Sequence, residues 1–345
     1  MEKGKFLQAP LSKACAGGTR SAQGFFGGGV VYGYSPSTGL LVPAWALPST
    51  TGGTPSNGSY KPGVYVVNPV TSAVRPLAQF TGSGVQANEG AAGDGWVIWE
   101  QVSNSSQNWQ LYAQNVATGQ HKLIYTPPSG FIAAGDAIGL TVAGHSAYWL
   151  AVLRNQSTIR TVVYRYDLET NRLTSVISAP SNKRPWLIGD LFVSGSTMLL
   201  TTQDSTNPYD LSARGQILRL DMSTSRISTE LTLEYPATYV AASGNLLSFV
   251  FNSSGKPNSP TNTTPFPLFT YAAGSLKVSQ VTVPTDQPEF PSASGRYLAW
   301  WNVGQYSTLL DTGKNWVFQV PGRAYVYGTL LTWGTADGVS WCTLR

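Results

Sequence analysis

Two carboxylates, Glu89 and Glu289, are the leading candidates for chemistry in this sequence. Each falls in a strand-like segment near the start of a repeating unit. Three aspartates lie near the same position when the units are aligned: Asp136, Asp190 and Asp286. Two carboxylates facing one cavity can act as acid and base in glycosidic cleavage, where their separation sets the stereochemical outcome. The simpler interpretation is that they bond backbone amides, water or Arg323.

Other kinds of catalytic centre have little support. The histidines, His121 and His145, fall in tight turns, away from the variable loops where a nucleophile would need a histidine. The cysteines, Cys15 and Cys342, lie near opposite ends of the chain and lack zinc-ligand spacing. We therefore predict no cofactor, although oxygen ligands from several units could converge on a cation such as calcium.

Variable loops are the predicted binding surface. They connect the second and third strands of the units, or successive units, and cover residues 35–62, 103–108, 154–160, 203–214 and 252–267. Six side chains at or near their ends are the candidate binding residues: Tyr60, Trp109, Arg154, Tyr209, Arg214 and Phe266. Aromatic faces beside amide and hydroxyl groups suit a glycan or an extended peptide. The alternative is that these are ordinary solvated loops with their rings packed on strand edges.

Composition narrows the class of protein. Of 345 residues, 42% are hydrophobic and only 11% are charged, against about a quarter in an average soluble protein. The net charge of +5 is spread singly along the chain, so nucleic acid, which needs clustered basic side chains, is not a predicted partner. These residues contain neither an apolar run long enough to span a membrane nor an export signal, and the start "MEKGKF" could follow a removed leader.

A repeat positions all of these residues. Gly-centred turns followed by apolar runs recur about every 50 residues, and each leads to a hairpin such as "LYAQNVATGQHKLIY". Four short strands per unit, without helical periodicity, predict an all-β, seven-bladed β-propeller of four-stranded antiparallel blades. We predict one domain, 1–345, with blades at 16–80, 81–127, 128–179, 180–235, 236–284, 285–320, and 321–345 plus 4–15.

The last predicted blade is incomplete at the C-terminus. It has three strands, so the segment Gly4 to Cys15 is predicted to supply its fourth, outer strand. This closure would bring Cys15 beside the strand that contains Cys342, within the reach of a disulfide. Two reduced, separately buried thiols are the alternative.

The stretch "PEFPSASGRYLAWW" resembles the repeat of TolB-like propellers, and "LYAQNVATG" and "VYRYDLETN" look like the hairpin that follows it. This resemblance implies the propeller fold and assigns no functional residue.

We predict a monomeric, extracytoplasmic binding or assembly module that is secreted, periplasmic or attached to the cell surface. Its partner would be a protein, peptide or glycan. The alternatives are a carbohydrate-active enzyme that uses Glu89 and Glu289, and a purely structural surface protein.

Overall fold

The third-to-fourth strand turn of the repeat is built by one side chain. In five hairpins an Asn or Asp ends or directly follows the third strand, and its Oδ1 accepts the N–H groups of the residues two and three positions further on at 2.8–3.2 Å. These residues are Asn68, Asn115, Asp167, Asp221 and Asp311. An Asx side chain stabilises such a turn because it satisfies backbone donors that the turn leaves unpaired. The same Asx turn therefore recurs in each of these five hairpins.

A computed structural model describes most of the chain. The described residues are 6–25, 30–44, 60–81, 84–103, 105–133, 137–155, 159–180, 186–204, 213–224, 226–244, 246–251, 268–272, 278–281, 288–302, 306–335 and 338–345. The chain divides into two compact units. The first unit has the bounds Met1–Ala14, Ser178–Thr329 and Leu344–Arg345, and the second has the bounds Cys15–Ile177 and Leu330–Thr343.

The second unit holds three blades. The first blade is β3 (Gly33–Ser35), β4 (Gly39–Ala44), β5 (Gly63–Val67) and β6 (Val74–Gln79). The next is β7 (Val85–Gly93), β8 (Trp96–Ser103), β9 (Ser105–Asn115) and β10 (His121–Tyr125). The third is β11 (Ile132–Ala133), β12 (Ile138–Ala143), β13 (Ser146–Arg154), β14 (Ile159–Asp167) and β15 (Arg172–Pro180), in which β11 and β12 both pair with β13. This unit also contains β2 (Cys15–Gln23), β30 (Gly338–Leu344) and β29 (Leu330–Thr335), which are adjacent in that order.

The first unit also holds three blades. They are β16 (Trp186–Ser194), β17 (Thr197–Gln203), β18 (Gly215–Asp221) and β19 (Arg226–Leu233); then β20 (Ala237–Ser243), β21 (Leu246–Phe251), β22 (Leu268–Ala272) and β23 (Val278–Gln280); then β24 (Pro288–Ser294), β25 (Tyr297–Asn302), β26 (Tyr306–Asp311) and β27 (Trp316–Pro321). The short strand β1 (Leu7–Gln8) pairs in parallel with β27. Strand β28 (Ala324–Tyr327) packs on β24 and β25. The helical content of the described residues is one 3-10 turn at Leu11–Lys13.

Aromatic side chains fill the space between blades of the second unit. Trp109 and Trp149 are fully buried, and the Tyr125 ring lies between them with centroid distances of 5.1 and 5.2 Å. Such rings bury large apolar areas, which is the main favourable term in folding. Neighbouring blades of this unit are thereby packed into one core.

The first strand of five blades is irregular. The pairing register shifts once in each of β7, β12, β16, β20 and β24, for example between Ala87 and Gly90 in β7 and between Glu289 and Ser292 in β24. A β-bulge bends its strand and turns the side chains at the bulge out of the regular alternation. Of the two predicted glutamates, Glu89 therefore lies within a bulge and Glu289 at the edge of one.

The prediction of seven blades is wrong, because six blades are formed from the repeat, three in each unit. Of the residues expected to make the seventh, 321–345 plus 4–15, β28 falls within the bounds of the first unit, and β29 and β30 begin within those of the second, where the strand beside β30 is β2. The blades are also less uniform than predicted, since two sheets have five strands and β1 pairs in parallel. The single-domain boundary stays a prediction.

The predicted closing strand is also wrong. Gly4 to Cys15 is not one outer strand: Pro10 has no N–H to donate to a sheet, and the described part of this segment forms β1 and the 3-10 turn. The strand beside β30 is β2, which only begins at Cys15.

The disulfide is confirmed. Cys15 and Cys342 are bonded, their Cα atoms are 5.5 Å apart, and both residues are buried. The bond joins the first residue of β2 to β30, two strands that come from opposite ends of the chain.

Candidate functional site

Five side chains of the first unit form what we call the Arg323 site: Glu289, Phe290, Trp301, Arg323 and Tyr325. The guanidinium carbon of Arg323 lies 3.6 Å from the centre of the Phe290 ring, 5.3 Å from that of Tyr325 and 5.9 Å from that of Trp301. Each of the five residues is half-buried. A guanidinium over an aromatic face is attracted by the ring quadrupole, and the attraction grows as water is removed.

Two serines hold Arg323 and Tyr325 in place. The N–H of Ala324 donates to Ser307 Oγ at 2.8 Å, and the N–H of Val326 donates to Ser292 Oγ at 3.0 Å. These bonds tie β28 to β26 and to β24 within the first unit. Because the backbone is fixed on both sides of Tyr325, the side chains of the site are held by a rigid scaffold.

Phe290 has a strained backbone. Its φ is +49°, in the left-handed region that bulky residues rarely enter, and Pro291 follows it, which further disfavours helical angles at Phe290. Such strain costs about 1–3 kcal/mol and persists where the surroundings determine it, most often at functional sites. Here the strained residue is the one whose ring covers Arg323, and the Tyr239 ring supports it at 4.9 Å.

Glu289 has altered acidity. Burial raises the pKa of its carboxyl above the usual range, and the nearby positive charge of Arg323 partly offsets this. Glu289 also pairs across the strands with Trp301, so the carboxyl and the indole are neighbours. The site thus combines one cation, one carboxyl that keeps its proton to higher pH than usual, and three aromatic rings.

The other predicted carboxylates are described only in part. Glu89 is half-buried at the bulge of β7 in the second unit. Asp136 and Asp286 lie outside the described residues, and the side chain of Asp190 is also outside the described part. The catalytic pair of Glu89 and Glu289 stays a prediction.

The aromatic loop residues have packing roles where they are described. The Tyr60 ring lies 4.8 Å from Phe25 and 5.0 Å from Tyr65, and Trp109 is fully buried beside Tyr125. Their assignment as binding residues stays a prediction.

The remaining loop residues are exposed or outside the description. Arg154 ends β13 and Arg214 precedes β18, and both are exposed. Tyr209 and Phe266 lie outside the described residues. Their assignment also stays a prediction.

The residues that the structure describes contain neither a candidate metal site nor a candidate membrane-spanning helix. No group of three or more His, Cys, Asp or Glu side chains there is arranged to hold a metal ion. Likewise, none of the helical structure described is long and apolar enough to cross a bilayer.

Sequence reasoning named Glu289 and Arg323 but missed the rings around them. A signal was present: in "GRAYVYG" the residues Arg323, Tyr325 and Tyr327 alternate, which places them on one face of a strand. The contact of Phe290 with Arg323 had no such signal, because it depends on the bulge and the positive φ of Phe290.

This architecture defines the chain as a β-propeller protein, and solved structures bear this out at the level of fold. The β-propeller domain of the Trilobed protease from Pyrococcus furiosus superposes with a TM-score of 0.59 at 9% identity, over 93% of this chain and 94% of that one. An oligogalacturonate lyase in complex with manganese superposes with a TM-score of 0.55 at 12% identity, over 100% and 99%.

The β-propeller fold that the sequence resemblance implies is confirmed. TolB from Acinetobacter baumannii is also among the similar structures. It has a TM-score of 0.48 and 13% identity over 81% of this chain, which spans 62% of the TolB chain. No family model and no curated protein sequence matches this chain. At these identities the likeness shows the fold alone, and both a binding protein and an enzyme are compatible with it.

Proposed function

We propose that this chain is an extracytoplasmic, non-catalytic binding or assembly module that recognises a glycan, peptide or protein partner. The observation that carries the proposal is the Arg323 site, in which a cation is set among aromatic rings by a backbone strained at Phe290. Aromatic anchors together with arginine are the residues that contribute most to recognition surfaces.

The position of the site agrees with this role. Arg323 precedes β28, Glu289 and Phe290 lie near the start of β24, and Trp301 lies near the end of β25. In an antiparallel blade these points share one end, the end of the second-to-third loops and of the connections between blades. Function tends to reside where loops vary on a rigid scaffold.

The disulfide supports the proposed location. Disulfides persist in oxidising compartments and are rare in the cytosol, where thiols are kept reduced. The bond between Cys15 and Cys342 therefore favours a secreted, periplasmic or surface-attached protein. We propose a monomer, and a molar-mass measurement by light scattering that shows a stable dimer would contradict this.

The binding role is tested on a combined glycan and peptide array. The wild-type chain should bind a subset of ligands saturably, and Arg323→Gln should weaken that binding. Arg226→Gln, which removes an exposed arginine from β19 of the same unit, is the matched control and should bind normally. The absence of saturable binding in the wild type would instead favour a purely structural surface protein.

A carbohydrate-active enzyme is the second candidate, favoured by the raised pKa of Glu289. A carboxyl that keeps its proton to a higher pH than usual is better suited to act as a general acid. Turnover on a panel of polysaccharides, lost in Glu289→Gln while binding is kept, would establish catalysis. No turnover on any substrate of the panel would leave binding as the role of the site.

A further inference from the structure

The side chain of Arg323 is only partly satisfied by the residues that the structure describes. Among the described residues no carboxylate forms an ion pair with this guanidinium within 4.0 Å, and its Nε is buried without a hydrogen-bond partner. Burial raises the pKa of the nearby Glu289 carboxyl, and the charge of Arg323 acts against that rise. A partly buried charge is costly unless it is paired, and an anionic group of a ligand would pair it.

The geometry selects the kind of anion. The guanidinium carbon of Arg323 lies over the Phe290 ring at 3.6 Å from its centre, and the N–H groups that can receive an acceptor lie along the edge of the guanidinium plane. A planar carboxylate matches that edge with two parallel hydrogen bonds. A polyanion such as nucleic acid would need several clustered cations, whereas this site has one arginine beside one glutamate.

The rest of the ligand is indicated by the aromatic face. Tyr325 and Tyr327 alternate along β28, directly after Arg323, and the two tyrosine rings are 6.1 Å apart. Side chains on one face of an extended peptide are spaced by about 6.6 Å, which is close to this distance. Sugars need several amide and hydroxyl partners, while the five residues of the Arg323 site are three aromatic rings and one pair of titratable groups.

We propose that the Arg323 site binds the free C-terminal carboxylate of an extended peptide whose last side chain is apolar. This inference rests on the proposed binding function and names the ligand class for it. The carboxylate receives hydrogen bonds from Arg323, and the terminal side chain lies against Tyr325 and Trp301. No covalent step is involved.

The test compares peptides that differ only in their terminal group. Hexapeptides ending in Phe, Leu or Lys are prepared as free acids and as C-terminal amides, and their affinities are measured by isothermal titration calorimetry. We expect the acids ending in Phe or Leu to bind about 10- to 100-fold more tightly than their amides, since charge-assisted hydrogen bonds are lost in the amide. Peptides ending in Lys should bind more weakly than those ending in Phe or Leu.

Variants assign the effect to the site. Arg323→Gln should abolish the difference between acid and amide, Arg323→Lys should keep part of it, and Arg226→Gln should leave it unchanged. Thermal melts confirm that each variant is folded. If Arg323→Gln does not fold, Arg323→Lys and the comparison of acid with amide on the wild type still decide the matter.

The outcomes separate this inference from the proposed function. Equal binding of acid and amide would overturn the carboxylate inference and leave the binding function standing. Binding of a glucuronate oligosaccharide through Arg323, without binding of any peptide acid, would overturn the peptide assignment. No saturable binding of any peptide or glycan would overturn both the inference and the function.

Discussion

Removing the Cys15–Cys342 disulfide should destabilise the fold more than most single changes. The two cysteines are 327 positions apart, so the bond closes a loop of almost the whole chain. In the loop-entropy model such a cross-link contributes about 6 kcal/mol, while the loss of a native disulfide typically costs about 2–5 kcal/mol. We expect the free energy of unfolding to fall by about 3–5 kcal/mol.

In a chain of this length, a loss of a few kcal/mol corresponds to a small change in melting temperature. An unfolding entropy of about 2.1 cal/mol/K per residue over 345 residues makes 1 kcal/mol equivalent to about 1.4 °C. A loss of 4 kcal/mol should therefore lower the melting temperature by about 5–6 °C. Urea unfolding followed by tryptophan fluorescence, with and without a reductant, measures the free energy directly.

The control is the double variant Cys15→Ala with Cys342→Ala, which should resemble the reduced wild type and show no response to reductant. Two results would refute the reasoning. Free thiols at both positions, found by non-reducing peptide mass spectrometry, would remove the bond itself. An intact bond whose reduction leaves the unfolding midpoint unchanged would remove the entropic argument.

Three further predictions concern local features. Gly39→Ala should lower the free energy of unfolding by about 2–4 kcal/mol, because φ is +86° and the new Cβ would lie 2.6 Å from Val67 O. Gly119→Ala is the control: φ is +73° but no atom lies within 4 Å of the new Cβ, so urea unfolding should show a loss of about 1 kcal/mol. In the folded state the N–H of Thr170 donates to Asp167 and lowers the pKa of its carboxyl. The ionised Asp167 therefore stabilises the fold above about pH 4, and this stabilisation is lost as the pH falls through the folded pKa. Between pH 3 and 7, the free energy of unfolding should depend less on pH in Asp167→Asn than in the wild type. Glu289 should have the opposite effect on the pH dependence of stability, because burial raises its pKa in the folded state. Glu289→Gln should therefore be more stable than the wild type at neutral pH, and this advantage should shrink as the pH falls toward 4.5. An advantage that does not depend on pH would contradict the assignment.

The repeat was predictable because its signals are local. An Asx residue at the end of the third strand and an apolar alternation on each side determine a hairpin without help from distant residues, as Asn115 and Asp167 show. The disulfide was also predictable, since pairing of the chain ends places Cys15 beside the strand of Cys342.

The closing strand could not be read from hydrophobicity. In β2 only Cys15 and Ala22 are buried, and Gly17 and Gly18 interrupt any alternation. Strand β2 pairs with β30, which lies more than 300 residues away in the sequence, so no local pattern predicts the pairing. The number of blades was also predicted wrongly, because the seventh blade was expected to be completed by residues 4–15, whereas the strand beside β30 is β2.

Only part of the Arg323 site could be predicted: the sequence pointed to Glu289 and Arg323 but not to the contact of Phe290 with Arg323. At Phe290 the local backbone preference and the structure conflict. Elsewhere in the fold turn chemistry, apolar pattern and pairing agree, which is what a sequence that specifies one structure requires. Phe290 departs from this agreement: a bulky residue before a proline adopts a positive φ, and its ring lies on a guanidinium that has no ion pair among the described residues. Packing alone does not require that arrangement, since a glycine would adopt the same backbone without strain. The strain is understandable if the ring is needed at Arg323, and this makes the site, rather than the loops, the place where recognition is best sought.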